Sequence, residues 1–214
     1  MIETCAEDTY RLKDPPWVLE TRKRYPLELK VKMSLNRIRA AYGYAGGRVY
    51  VSFSGGLDST LLLYLVRTLY PDVLAVFVDT GLEYPEIRQF VKSMENVVTV
   101  RPNLRFDAVL QKYGFPVISK KTAFLIHNVQ TAKGDTPTTR LRLTGITDSG
   151  KVSKLSKIPD KYQYLCKAPF KISDMCCAVM KKKPFKEISA AHGLPFIGTR
   201  AFESNQRILR YQQD

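Results

Sequence analysis

Histidine, tryptophan and cysteine are scarce in this 214-residue chain, with two, one and four copies. The two histidines, His127 and His192, have neither metal-ligand spacing nor a nucleophile partner, so an imidazole-built metal centre or a histidine-driven acyl transfer is a poor fit and both read as structural. Four thiols, two of them adjacent as Cys176-Cys177, do not suit the disulfide framework of a small secreted domain and are better weighed as free thiols or as ligands of a metal or cluster. No apolar run reaches membrane-spanning length. The start, Met1-Ile2-Glu3-Thr4-Cys5-Ala6-Glu7-Asp8, has neither the basic opening nor the apolar stretch of a secretory leader, so a cytoplasmic location without a membrane partner is expected. Low-complexity tracts and repeats of solenoid length are also missing, which argues against disorder and repeat architectures. Acidic residues are in deficit, 20 against 34 basic ones, and the net charge of +14 will attract polyanions, whether nucleic acid or multiply phosphorylated nucleotides.

What is present is a regular alternation. Residues 1–25 are polar and punctuated by Pro15-Pro16-Trp17, which predicts an irregular N-terminal arm pinned to the body by Trp17. A single α/β domain is expected over 26–214. It opens with a basic amphipathic helix from Leu27 to about Tyr42. Val49 to Phe53 reads as a strand and Thr60 to Val66 as a helix; Val73 to Val78 and Glu86 to Met94 repeat the unit. Val97 to Val100 gives a third strand, Phe106 to Tyr113 and 119–133 give helices, and Leu194 to Thr199 gives a late strand. This order predicts a three-layer, open, mostly parallel sheet with helices on both faces. Residues 134–161, rich in glycine, hydroxyls and lysine, read as a mobile basic insertion.

The chemistry lies between the first strand and its helix, in Ser52-Phe53-Ser54-Gly55-Gly56-Leu57-Asp58-Ser59-Thr60. Paired glycines let backbone amides approach an anion, hydroxyls add donors, and the helix that follows offers its positive end, so a pyrophosphate is the natural guest. No Gly-Lys-Ser/Thr closes the loop and a third glycine is missing, so it is neither a Walker loop nor a dinucleotide fingerprint. Ligands of open α/β sheets bind at the carboxyl ends of strands. Ser52, Ser54, Gly55, Gly56, Leu57, Asp58 and Ser59 are therefore expected at the phosphates, with Asp79-Thr80-Gly81 at the end of the next strand. Asp58 and Asp79 could also hold a hydrated Mg2+ ion. Glu83 and Glu86 read as a solvated first helical turn. Arg200 and Arg207, near a late strand end, could fork onto phosphate or sulfate oxygens.

The SFSGGLDST stretch resembles the PP-loop of the adenine nucleotide alpha-hydrolase superfamily. Within it, Asp79-Thr80-Gly81-Leu82-Glu83-Tyr84-Pro85-Glu86 and Gly198-Thr199-Arg200-Ala201-Phe202-Glu203-Ser204-Asn205-Gln206-Arg207 resemble segments of the phosphoadenylyl-sulfate (PAPS) reductase-like family. That resemblance, running from about Arg48 to Arg207, implies a site for PAPS or ATP, and catalysis carried by Asp58, Arg200, Arg207, Cys176 and Cys177. Cys176-Cys177 with Met180-Lys181-Lys182-Lys183-Pro184 resembles a region in which one branch of these reductases binds a 4Fe-4S cluster. That branch completes its cluster from a later Cys-x-x-Cys. No cysteine follows Cys177 here, so a four-thiolate site would recruit Cys166 and Cys5. The tail cysteine that attacks sulfur in the sulfate-reducing members is likewise not seen before Asp214. Three functions stay open: sulfur transfer or reduction on an adenylyl compound; ATP alpha-hydrolysis or adenylation acting on nucleic acid; and a non-catalytic nucleotide- and nucleic-acid-binding module. A homo-oligomer or a larger assembly is compatible with each.

Overall fold

The structure, a computed structural model, describes residues 16–200. Helix α1, Pro16–Arg24, stands where the described end of the expected irregular arm would be, because proline is tolerated in a first helical turn where its missing N–H would have no partner anyway. Trp17 does not pin it: its side chain is 66% exposed. The remaining elements are α2 (Leu27–Tyr44), β1 (Val49–Ser52), α3 (Leu57–Leu69), β2 (Ala75–Val78), α4 (Pro85–Ser93), β3 (Val97–Val100), α5 (Phe106–Tyr113), α6 (Lys120–Thr131), α7 (Pro137–Thr144), α8 (Met175–Cys177), α9 (Lys183–His192) and β4 (Leu194–Ile197). Short 3-10 segments at Lys154–Ser156 and Asp160–Lys167 precede α8, and a π-helical turn at Ala178–Lys182 joins α8 to α9. Among the described residues no helix is long and apolar enough to cross a membrane.

The four strands form one parallel sheet in the order β3-β2-β1-β4. β1 is central and pairs in parallel with β2 (Val51↔Ala75, Ser52↔Val76) and with β4 (Val49↔Leu194 through Ser52↔Ile197). A parallel neighbour cannot be reached by a tight hairpin, so α3 carries the chain back between β1 and β2. The architecture is the three-layer α/β fold that the alternation of elements predicts.

The chain divides into two compact units. The first comprises residues up to 77, 90–98 and those from 192 onward; the second comprises 78–89 and 99–191. In the first unit Tyr50, Val51, Phe53, Leu63, Val66, Ala75 and Val76 are almost wholly buried, as expected for strands covered by helices. Arg67 of α3 fastens the edge of this core: its guanidinium donates to the carbonyls of Val73 (3.3 Å), Glu95 (2.9 Å) and Asn96 (2.8 Å). The entry to β4 turns at Gly193, with φ +95°, where a β-carbon would lie 2.0 Å from the Arg48 carbonyl oxygen. Only glycine fits there.

The core of the second unit gathers Ala123, Leu125 and Ile126 of α6 with Ile158, Leu165 and Ile172. Residues 134–161, read as a basic insertion, contribute both a helix and a core residue. They contain α7, started by Thr136, whose hydroxyl accepts from the Thr139 amide at 3.1 Å and whose successor Pro137 suits the first helical position. They also deliver Ile158, wholly buried, into the core, its amide donating to the Arg142 carbonyl at 2.7 Å. Polar composition concealed the single apolar anchor. Ile158→Ala should cost about 2–5 kcal/mol of unfolding free energy. A urea midpoint unchanged by that substitution would show that the segment is not part of the core.

Candidate functional site

The loop after β1 is wired by its own hydroxyls. Ser54 Oγ and Ser59 Oγ lie 3.0 Å apart, the Ser54 amide donates to Ser59 Oγ at 3.2 Å, and Ser59 Oγ donates to the Gly56 carbonyl at 2.9 Å. Thr60 Oγ1 donates to the same carbonyl at 2.9 Å. Gly55 turns the chain with φ +72°, a conformation that glycine adopts without strain. Gly56 is the N-cap of α3 in ordinary extended geometry (φ −82°, ψ 163°), and no side chain caps the helix. The first amides of α3 are thus left to whatever lies outside the loop. A β-carbon on Gly56 would meet only Ser54 Oγ, at 3.4 Å, so neither backbone strain nor packing demands glycine there.

The end of β4 packs directly on this loop. A β-carbon on Gly198 would fall 2.9 Å from the Asp58 carbonyl oxygen and 3.1 Å from Ser59 Cα, so glycine is what allows the approach. Two residues on, Arg200 Nε pairs with Asp58 Oδ2 at 3.1 Å. The structure thereby joins two sequence motifs, far apart along the chain, at one helix end. Beside them an apolar cavity of about 470 Å³ is lined by Ile38, Ala41, Leu61, Leu65 and Phe196 together with Asp58 and Arg200. Arg207 lies outside the described residues.

In the second unit Asp79 follows β2 and is 8% exposed. Its carboxylate accepts from the Gly81 amide (3.1 Å) and pairs with Arg88 Nε (3.3 Å) and Arg101 Nε (3.4 Å); the Arg88 N–H is not aligned for a hydrogen bond. Sequence reasoning missed both arginines, because on so basic a chain nothing marks them before folding brings them to Asp79. Glu83 corrects the expectation of a solvated helical turn: its carboxylate accepts from the Thr80 amide (2.9 Å) and hydroxyl (2.7 Å), and α4 begins only at Pro85. The Thr-x-x-Glu spacing of a capping box was the overlooked signal. Thr80 is buried and Gly81 exposed in this turn.

A Mg2+ ion does not fit the carboxylates named for it, since Asp58 is paired with Arg200 and Asp79 with Arg88 and Arg101. A 4Fe-4S cluster does not fit the thiols either. Among the described residues no three His, Cys, Asp or Glu side chains gather closely enough to hold a metal, so Cys166, Cys176 and Cys177 form no ligand set, and Cys5 lies outside those residues. Cys176 and Cys177 are half-buried in α8. Cys166 lines a separate cavity of about 370 Å³ with His127 and Gln130, and burial pushes its thiol pKa up. His127 Nδ1 lies 3.1 Å from the Ile172 carbonyl oxygen, a structural contact.

A parallel α/β sheet whose central strand runs through a glycine-rich turn into an uncapped helix defines the class of protein, an open α/β domain with its loop at the strand end. Residues 48–122 match the phosphoadenosine phosphosulfate reductase domain, and over this segment the chain is similar to that family. It is similar to an uncharacterized protein of Methanocaldococcus jannaschii, 31% identical over 97 residues that make up 42% of this chain and 24% of that protein. It is also similar to the adenosine 5'-phosphosulfate reductases of Bacillus velezensis (24% over 96 residues, 42% of this chain and 41% of that one) and Geobacillus kaustophilus (24% over 104 residues, 46% and 44%). The chain spans less than half the length of each of these relatives.

Gly198→Ala should cost about 1–3 kcal/mol, read from the urea midpoint, because the new methyl group must push β4 away from Asp58. No change would mean that the strand end does not rest on the loop. Cys166 should react with iodoacetamide more slowly at pH 8 than free cysteine does, with the rate climbing as pH rises further, since the thiolate is the reactive form. Peptide mapping after timed alkylation measures it.

Proposed function

We propose that the chain binds an adenine nucleotide through the Ser54–Ser59 loop and serves sulfur transfer or reduction on an adenylyl sulfate such as PAPS. One observation carries the reading: neither packing nor backbone strain requires glycine at Gly56, while it heads an uncapped helix whose amides need acceptors. An anion approaching from outside accounts for both. The loop amides and the Ser54 hydroxyl would hold the phosphate oxygens, and Arg200, kept beside the loop by Asp58, would offset charge gathering on the bridging oxygen as it leaves. The names of the curated relatives, adenosine 5'-phosphosulfate reductases, favour a sulfonucleotide as the substrate. In such a reaction a thiolate attacks the sulfur, an S–S bond forms, the S–O bond breaks and the nucleoside phosphate departs with the bonding pair. A dithiol then displaces sulfite and is itself oxidised to a disulfide.

A second reading, ATP alpha-hydrolysis or adenylation acting on nucleic acid, is favoured by the exposed lysines 133, 151, 154, 161, 167 and 171 of the second unit. The same loop would then hold the pyrophosphate leaving group. Anaerobic incubation with Mg-ATP, and separately with PAPS plus a dithiol, separates the two. Adenosine bisphosphate with sulfite is expected from PAPS, whereas AMP with pyrophosphate from ATP would establish the second reading. Gly56→Ala should unfold within about 1 kcal/mol of the parent yet lose nucleotide affinity tenfold or more by calorimetry. Unchanged affinity in that folded variant would remove the loop from nucleotide binding.

A further inference from the structure

The second unit carries a cationic pocket that the nucleotide reading does not use. It has a volume of about 260 Å³ and is lined by Arg101 and Asn103 of the segment after β3, by Lys112 and Tyr113 at the end of α5, and by Lys183 and Glu187 on α9. Three cations from three separate elements thus face one carboxylate. Arg101 shares its charge with Asp79 at 3.4 Å, but neither Lys112 nor Lys183 has an ion-pair partner among the described residues. Lys112 has only the Tyr113 ring, 5.4 Å from its ammonium nitrogen to the centroid. Lys183 reaches the pocket directly after the π-helical turn Ala178–Lys182, an irregularity often found at functional sites. Of the run Lys181-Lys182-Lys183, only Lys183 lines the pocket.

We propose that this pocket is a phosphate site distinct from the loop after β1, and that the phosphate it takes belongs to a nucleic-acid strand. Two ammonium groups and a guanidinium surround an oxyanion, while the Asn103 amide and Tyr113 hydroxyl supply neutral donors. The pocket is smaller than the roughly 300–1,000 Å³ of sites that enclose a small ligand whole. That size suits a phosphate with its sugar, the attached base staying outside, as at a site along a continuous strand. The assignment rests on this pocket alone and stands whether or not the loop binds a nucleotide.

The test is fluorescence anisotropy of the full chain with a fluorescein-labelled oligothymidylate, across a salt series. Lys112→Gln with Lys183→Gln should weaken binding about tenfold and make the log–log salt slope shallower by about 1.4, at about 0.7 for each single-strand phosphate that is no longer neutralised. Lys112→Arg with Lys183→Arg should keep most of the affinity. Lys30→Gln with Lys32→Gln removes the same charge from exposed positions on α2 and should do much less. Equal losses from the two glutamine pairs would reduce the effect to net charge and overturn the proposal, as would unchanged affinity in the first pair. Loss in Gly56→Ala alone would also overturn it, because strand binding would then belong to the loop. Competition by thymidine monophosphate as effective as by the strand, and abolished in the first pair, would overturn the strand assignment and make a free nucleotide the ligand of the phosphate site.

Discussion

The turn that carries β1 into α3 is the constraint on which the first unit depends. Between Ser52 and Leu57 the chain must leave a buried strand, reverse at Gly55 in a left-handed conformation, and start a helix whose first amides have no side-chain acceptor. Ser54, Ser59 and Thr60 stabilise that path by bonding to one another and to the Gly56 carbonyl, so their hydroxyls are partly spent inside the loop. The outward-facing amides are not. A loop held rigid by its own side chains, with backbone donors left over, would bind the proposed anion with little ordering entropy to oppose it.

Each unit organises its charge with few carboxylates. Asp58 and Asp79 each hold arginine, the first Arg200 and the second Arg88 and Arg101, so the scarce acidic groups position cations. Such an arrangement suits an anionic substrate better than a carboxylate-ligated metal. The excess of cations has a second consequence in the second unit, where Lys112 and Lys183 face a common pocket without an ion-pair partner among the described residues. With Arg101 they outnumber the one carboxylate of that pocket, Glu187, which is the physical reason to propose an anionic ligand there.

Most of the elements were readable because strands covered on both faces must be continuously apolar, as Ala75–Val78 is, and because helices must start and stop at recognisable residues. Ser119 caps α6 through the Thr122 amide, and Thr136 caps α7. Two segments were misjudged for reasons that can be named. Pro16 looked like a breaker but stands at a helix start, and the polarity of 134–161 hid Ile158, whose burial depends on a partner, α6, that local pattern cannot supply.

Local sequence by itself determined the strand–loop–helix unit, the glycine-rich loop and the parallel sheet, because periodicity, turn chemistry and strand burial are written within a few residues of one another. Only the tertiary structure decided which distant groups share a site. Gly198 rests against Asp58, Arg88 and Arg101 converge on Asp79, Lys183 joins Lys112, and the three described cysteines named for a cluster do not gather. Each of these depends on side chains far apart in sequence meeting across packed elements, and their distances are set by how helices and strands stack, for which no spacing along the chain is a substitute.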